Sequence, residues 1–167
     1  SLRNWKDSDV SHKISMVAKK LIDNGMECHF IPFYYKEDLQ LIDQVEEILG
    51  NKAVYYKEKL STGNAFEIIK TMDVMVGVRL HSLIFAAAAN VPIVAVSYDH
   101  KVDHFVNSVN MKIACTIDDI DENIVYNEII NKINNEDEEK EKLLKSVEKL
   151  RELTNINYKI LKEITDG

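Results

Sequence analysis

The sequence predicts an α/β protein: a Rossmann-like parallel sheet with helices on both faces. Three observations lead there. Short apolar runs alternate with amphipathic stretches along most of the chain, the order of elements that builds parallel sheets. The stretch from Asp73 to Val102 holds a complete strand–helix–strand unit, and a crossover of that kind joins parallel neighbours. With 167 residues, 46% of them hydrophobic and 29% charged, the chain suits one domain, residues 1–167, with its own core.

Ser1 to Trp5 reads as a first strand and its exit. Asp7, Ser8 and Asp9 supply a helix start; Val10, Ile14, Val17, Leu21 and Ile22 follow at helical spacing, and Asn24-Gly25 stops the helix. Glu27 to Ile31 is the next strand, ended by Pro32. Phe33, Tyr34 and Tyr35 come at its carboxyl edge; such aromatics line a core or an interdomain surface more often than they stack on a sugar. Leu41, Ile42, Val45, Ile48 and Leu49 mark a second amphipathic helix, closed by Gly50. Ala53 to Tyr56 is a short strand. Asn64 with Glu67 resembles a capping box, ahead of a helix that buries Phe66, Ile68, Ile69 and Met72.

Val74 to Val78 is a short apolar run with a glycine, long enough for a buried strand. Leu83 to Ala89 is apolar nearly all round, as a buried helix is. Asn90 takes the place of a left-handed helix stop, Pro92 follows, and Ile93 to Val96 is a second buried strand. Val102, Phe105, Val106 and Val109 give a short helix, and Lys112 to Thr116 a last strand. Asp118, Asp119 and Asp121 are loop and cap residues; they lack the calcium-loop spacing and its closing glutamate, so no metal site is expected. Ile124 to Ile133 is helical and Asn134-Asn135 breaks it. From Glu136 the charges alternate in sign over a stripe of Leu143, Val147 and Leu150, prolonged by Ile160, Leu161 and Ile164, which is a solvated helix.

Right-handed crossovers bring every strand exit to one edge of such a sheet, the edge where ligands bind. Arg79 and His81 stand there, after Val74–Val78, and Tyr98, Asp99 and Lys101 stand after Ile93–Val96. The chain favours lysine: of 21 basic residues only Arg3, Arg79 and Arg151 are arginines. An arginine beside a helix N-terminus joins a planar two-bond fork to unpaired N–H groups and the positive dipole end, which suits a phosphate or carboxylate. His81 adds a donor or a titratable acid. The alternative is that Arg79 pairs a structural carboxylate and His81 packs against the sheet.

The run Gly77-Val-Arg79-Leu80-His81-Ser-Leu-Ile-Phe-Ala, then Val91-Pro92, then Ser97-Tyr98-Asp99-His-Lys101-Val102, resembles the signature of the polysaccharide pyruvyl transferase family. It is most similar to the CsaB-type branch, which pyruvylates secondary cell-wall polysaccharide. Ser1-Leu2-Arg3-Asn4-Trp5 resembles the strand that opens the family's C-terminal half, and Phe30-Ile-Pro32-Phe33 with Asp38 resembles another family position. The resemblance covers roughly the first two-thirds of the chain.

The resemblance implies a GT-B-like architecture of two facing Rossmann-like halves, of which this chain is the C-terminal one and the N-terminal lobe a missing partner. It implies transfer of pyruvyl from phosphoenolpyruvate, the donor substrate, to two hydroxyls of one sugar, with no further cofactor and no metal. The acceptor would be a lipid-linked or free polysaccharide unit bearing a hexosamine. Arg3, Arg79, Leu80, His81 and Lys101 would bind substrate, with His81 also the catalytic acid and Asp99 holding Lys101 or its loop. No residue is assigned as the general base.

The formal charge of −7 argues against a nucleic-acid surface. No apolar run is long enough for a membrane span and no signal peptide is visible. Cys28 and Cys115 read as two buried reduced thiols, which fits the cytoplasm, and a lipid-linked acceptor implies peripheral association with the inner membrane face. Two rival readings stand: a nucleotide-sugar-dependent GT-B glycosyltransferase lobe, though neither a glycine-rich diphosphate turn nor a ribose-binding acid is clear, and a non-catalytic interaction module working through its charged C-terminal helix.

Overall fold

The computed structural model describes residues 9–165, with side chains through residue 156. The expected Ser1–Trp5 strand therefore lies outside the described residues. Helix α1 (Val10–Asp23) presents Val10, Val17, Ala18 and Leu21 to the core and ends at Asn24, with Gly25 in the left-handed region at φ 84°. Strand β1 (His29–Phe30), helix α2 (Tyr35–Leu49) and strand β2 (Val54–Tyr55) follow. Gly50 closes α2 at φ 62°, a conformation that suits a residue without Cβ.

Helix α3 (Thr62–Ile69) corrects one expectation. Its N-cap is Ser61, whose hydroxyl accepts from the Asn64 amide at 3.1 Å, so Asn64 sits inside the first turn and is not itself the cap. Ser61 is extended (φ −68°, ψ 157°), the backbone that turns a side-chain oxygen back onto the helix amides.

Strand β3 (Met75–Gly77), helix α4 (Leu80–Ala88) and strand β4 (Ile93–Ser97) form the predicted strand–helix–strand unit. The left-handed stop falls on Asn90, at φ 56°, with the Val91 amide donating to Ala86 O at 2.9 Å. Helix α5 (His100–Ser108), strand β5 (Ile113–Thr116), helix α6 (Glu122–Asn134) and helix α7 (Glu136–Thr165) complete the chain. The Asp121 carboxylate caps α6 by accepting from the amides of Asn123 and Ile124.

All strand pairs are parallel. They form two groups among the described residues, β1–β2 and β3–β4–β5. Helices cover both faces, and β4 shows how the residues divide. Ile93 and Ala95 pack with Leu83, Val102, Val106 and Leu143 of α4, α5 and α7. Val94 and Val96, one residue out of phase, pack with Val17, Leu21, Val125 and Ile129 of α1 and α6. That period-two division, with β4 buried throughout, is the mark of a strand covered on both sides.

Two helices are less uniform than expected. Ile84 is 38% exposed because the apolar surface of α4 goes all round while the sheet, α3 and α5 cover only part of it. Helix α7 is solvated along one face only: Leu143 is fully buried, and Glu139 is buried in ion pairs with Lys132 of α6 and Lys142. Burial pushes the Glu139 carboxyl up, but hydrogen bonds and charge from Lys132 and Lys142 outweigh it and leave the group below its ordinary value.

Gly77 ends β3 where α4 comes closest. A Cβ there would lie 2.2 Å from Leu83 Cδ2 and 2.9 Å from Ser82 Oγ. Both neighbours are buried, so neither has room to retreat. Gly77→Ala should lower unfolding free energy by about 1–3 kcal/mol through overpacking. Urea denaturation checks this, and an unchanged midpoint would contradict the strand–helix approach.

Candidate functional site

Among the described residues the strands stand in two parallel groups, β1–β2 and β3–β4–β5. Crevices outside the carboxyl ends of strands are where open α/β sheets take ligands. Here the two lips of the crevice are the β1–α2 loop and the β3–α4 corner. Beneath them a cavity of about 760 Å³ runs between β1 and β3, with Asp38, Arg79 and Ser82 at its lining.

Asp38, in the first turn of α2, joins the lips. Its Oδ2 accepts from the amides of Phe33 at 2.8 Å and Tyr34 at 2.7 Å. Its Oδ1 accepts from Arg79 Nε at 2.9 Å and Nη2 at 2.6 Å. Arg79 Nη2 also donates to Glu37 Oε2 at 3.1 Å, and the guanidinium lies 5.1 Å from the Tyr34 ring centroid. Burial pushes the Arg79 pKa down, yet bonds and charge from Asp38 and Glu37 prevail and hold it above its ordinary value. The guanidinium thus has the structural carboxylate partner that was one of the two alternatives. Its Nη1 makes no hydrogen bond among the described residues.

Arg79 is extended (φ −87°, ψ 135°) as the residue before α4, and it gives α4 no side-chain cap. Ser82 turns inward instead, donating from both Oγ and N to Arg79 O at 2.6 and 3.0 Å. The opening of α4 therefore differs from those of α3, α5 and α6, which Ser61, Asp99 and Asp121 cap. Leu80, the first residue of α4, packs against the core, and His81, next along the helix, is exposed.

Lys101 stands one strand away on the same edge, because β3 and β4 run parallel with Gly77 opposite Ala95. It is exposed in the first turn of α5, and its amide donates to Asp99 Oδ1 at 2.9 Å. That N–H holds the Asp99 carboxyl below its ordinary value, against a smaller desolvation effect. Asp99 thus ties the loop through the Lys101 backbone. Buried Ser97 donates to Asp103 and closes the same corner. Arg3 lies outside the described residues.

The aromatics divide. Phe33 packs edge-on to Phe85 at 5.5 Å, Tyr35 OH donates to Lys57 O at 2.9 Å, and Tyr34 is 56% exposed over Arg79. Cys28 and Cys115 carry free thiols, both partly buried, and burial pushes the Cys28 thiol up to about 11. Glu37 and Asp38 as partners of Arg79 are what residue patterns do not reveal; they lie 42 and 41 positions away, and the family resemblance had marked Asp38 without pairing it to Arg79.

At the carboxyl edge of this Rossmann-like domain an arginine thus stands beside a helix N-terminus that has no side-chain cap. The sequence model of the polysaccharide pyruvyl transferase family matches residues 4–100, more than half of the chain, and the chain belongs to that family. The matched span holds Asp38, Arg79, Leu80 and His81, while Arg3 and Lys101 fall just outside it. No curated protein and no solved structure matches the chain. Among the described residues no helix is long and apolar enough to cross a membrane.

Asp38 should be the residue on which the crevice depends. In Asp38→Asn one oxygen becomes an NH₂ that faces donors, and the Arg79 charge keeps only its exposed partner Glu37. A loss of about 2–4 kcal/mol in unfolding free energy is expected. A urea midpoint equal to that of the parent would show that the two lips are held by something else.

Proposed function

We propose that this chain carries the donor side of pyruvyl transfer, with phosphoenolpyruvate docking at the β3–α4 corner. The proposal rests on that corner, an arginine fixed in orientation beside a helix whose first amides have no side-chain cap. In the reaction C2 of the donor gains bonds to two oxygens of one sugar, the methylene carbon gains a proton and inorganic phosphate leaves. The donor therefore needs cationic clamps and the methylene carbon an acid. Arg79 with the Leu80 and His81 amides is the first clamp; Lys101 and Arg3 are auxiliary ones. His81 supplies the proton. The acceptor is a hexosamine-bearing unit of a cell-wall polysaccharide, as in the CsaB-type branch, held by a second lobe at the inner face of the membrane.

The pairing of Arg79 sets how an anion enters. Asp38 holds Nε and one side of Nη2 from a nearly buried position, at 14% side-chain exposure. Glu37 is 56% exposed and makes one bond at the rim. An exposed pair of that kind is worth little, about 0–1 kcal/mol, so the incoming anion displaces Glu37 and leaves Asp38 as the anchor.

Titration calorimetry with phosphoenolpyruvate on the full-length protein separates the two carboxylate roles. Arg79→Lys should weaken binding by about 1–3 kcal/mol, since an ammonium cannot keep Asp38 and grip the donor through a planar fork. Glu37→Gln should strengthen it, because the competitor at Nη2 loses its charge. Unchanged affinity in Arg79→Lys, or weaker binding in Glu37→Gln, would remove the donor site from this corner.

His81→Asn addresses the proton. Turnover should fall by about 10²–10⁴ while donor affinity falls less. A matched fall in both would make His81 a phosphate ligand only, and full activity in the variant would remove it from the mechanism.

A further inference from the structure

Helix α5 carries two of the chain's five histidines one turn apart. His100 opens the helix and His104 follows four residues on, and both are exposed. Their outward position is set by the opposite face. Val102 and Val106 are fully buried in the core with Leu83 and Ala95, which leaves His100 and His104 on the side turned to solvent. Residues four apart on a helix have Cβ atoms about 5–6 Å from each other. Two imidazoles so placed can reach one metal ion at about 2.0–2.1 Å each. The same spacing puts paired histidines on zinc in helical metal motifs.

Asp99 adds a second, separate feature. His100 Nδ1 lies 2.9 Å from Asp99 Oδ1, and that oxygen is itself held by the Lys101 amide at 2.9 Å. A carboxylate beside one ring nitrogen keeps the proton there and leaves the other nitrogen free as a ligand, the arrangement that orients most metal-bound histidines. Here the free nitrogen is Nε2, on a side chain 79% exposed. Asp103 brings a second carboxylate to the first turn, so negative charge offsets the positive end of the helix. Its oxygen accepts from buried Ser97, so Asp103 contributes charge and not a ligand.

We propose that His100 and His104 form a chelate for a transition-metal dication such as Zn²⁺ or Ni²⁺, with Asp99 orienting the first ligand. Imidazole nitrogens suit such ions, whereas Mg²⁺ and Ca²⁺ take oxygen ligands. Among the described residues no group of three or more His, Cys, Asp or Glu is placed to hold a metal ion. Two protein ligands and water therefore complete the coordination, which makes the ion exchangeable and not a permanent part of the fold. Bound there, it staples the first turn of α5, the turn that carries Lys101, at the carboxyl edge of the sheet. The chelate is independent of the donor site, since neither histidine has a role at Arg79.

Calorimetric titration of the intact 167-residue chain with zinc chloride, in a buffer that does not bind metal, tests the chelate. One Zn²⁺ should bind per chain, and the melting temperature should rise with zinc concentration. Magnesium at the same concentrations should do neither. Asp99→Asn keeps a helix-capping side chain and should weaken zinc binding about tenfold. His100→Gln and His104→Gln alter exposed side chains only, so both variants should melt like the parent without zinc. Each should weaken zinc binding more than Asp99→Asn does, because one imidazole is left. Unchanged zinc affinity in any of these three variants would overturn the proposal. So would an equal loss in His81→Gln, since the ion would then bridge α4 and α5 and not sit on one helix.

Discussion

One carboxylate holds the crevice. Asp38 accepts four hydrogen bonds, two from the amides of the loop after β1 and two from the Arg79 guanidinium after β3. A carboxylate has about four acceptor sites, so Asp38 is saturated. Its bonds join two loops that belong to strand groups with no hydrogen-bonded ladder between them among the described residues. At 14% and 17% side-chain exposure the pair is sheltered enough that charge and hydrogen bonding count, and geometry on both sides satisfies the cost of desolvation.

That arrangement bears on the donor-binding role proposed for Arg79. Two carboxylates already face it, so the local charge is not simply positive. What the proposed site offers an anion is a fixed plane of donors beside helix amides without a side-chain cap. Preorganised donors of that kind need no reordering when charge arrives, whereas a solvent-facing lysine such as Lys101 must give up rotamer freedom to do the same.

Behind the corner the packing is tight. Gly77 lets Leu83 and Ser82 close on the end of β3, and Ser82 uses its hydroxyl to fix Arg79 O at 2.6 Å. At the other end of α4, Asn90 turns the chain in the left-handed region so that Val91 through Val96 can run back fully buried. The helix that presents the site is thus clamped at both ends, and its first turn is the part left facing outward.

Periodicity and punctuation alone determined much of this molecule. Val10, Val17 and Leu21 mark a helix face wherever that helix sits, and Asn24-Gly25, Gly50 and Asn90 stop helices by local backbone preference. Alternation of strand and helix makes the sheet parallel and brings Arg79, His81 and Lys101 to one edge, because a crossover returns each strand in the same direction. Even locally the outcome depended on one oxygen, as Ser61 took the cap that Asn64 was expected to provide. What the chain order does not contain is which distant groups meet. Asp38 reaches Arg79 across 41 positions, Lys132 and Lys142 neutralise a buried Glu139, and Val76 of β3 is exposed while its neighbour Gly77 is buried. Those facts belong to tertiary structure, since hydrogen bonds and burial depend on distances through space that no spacing along the chain encodes.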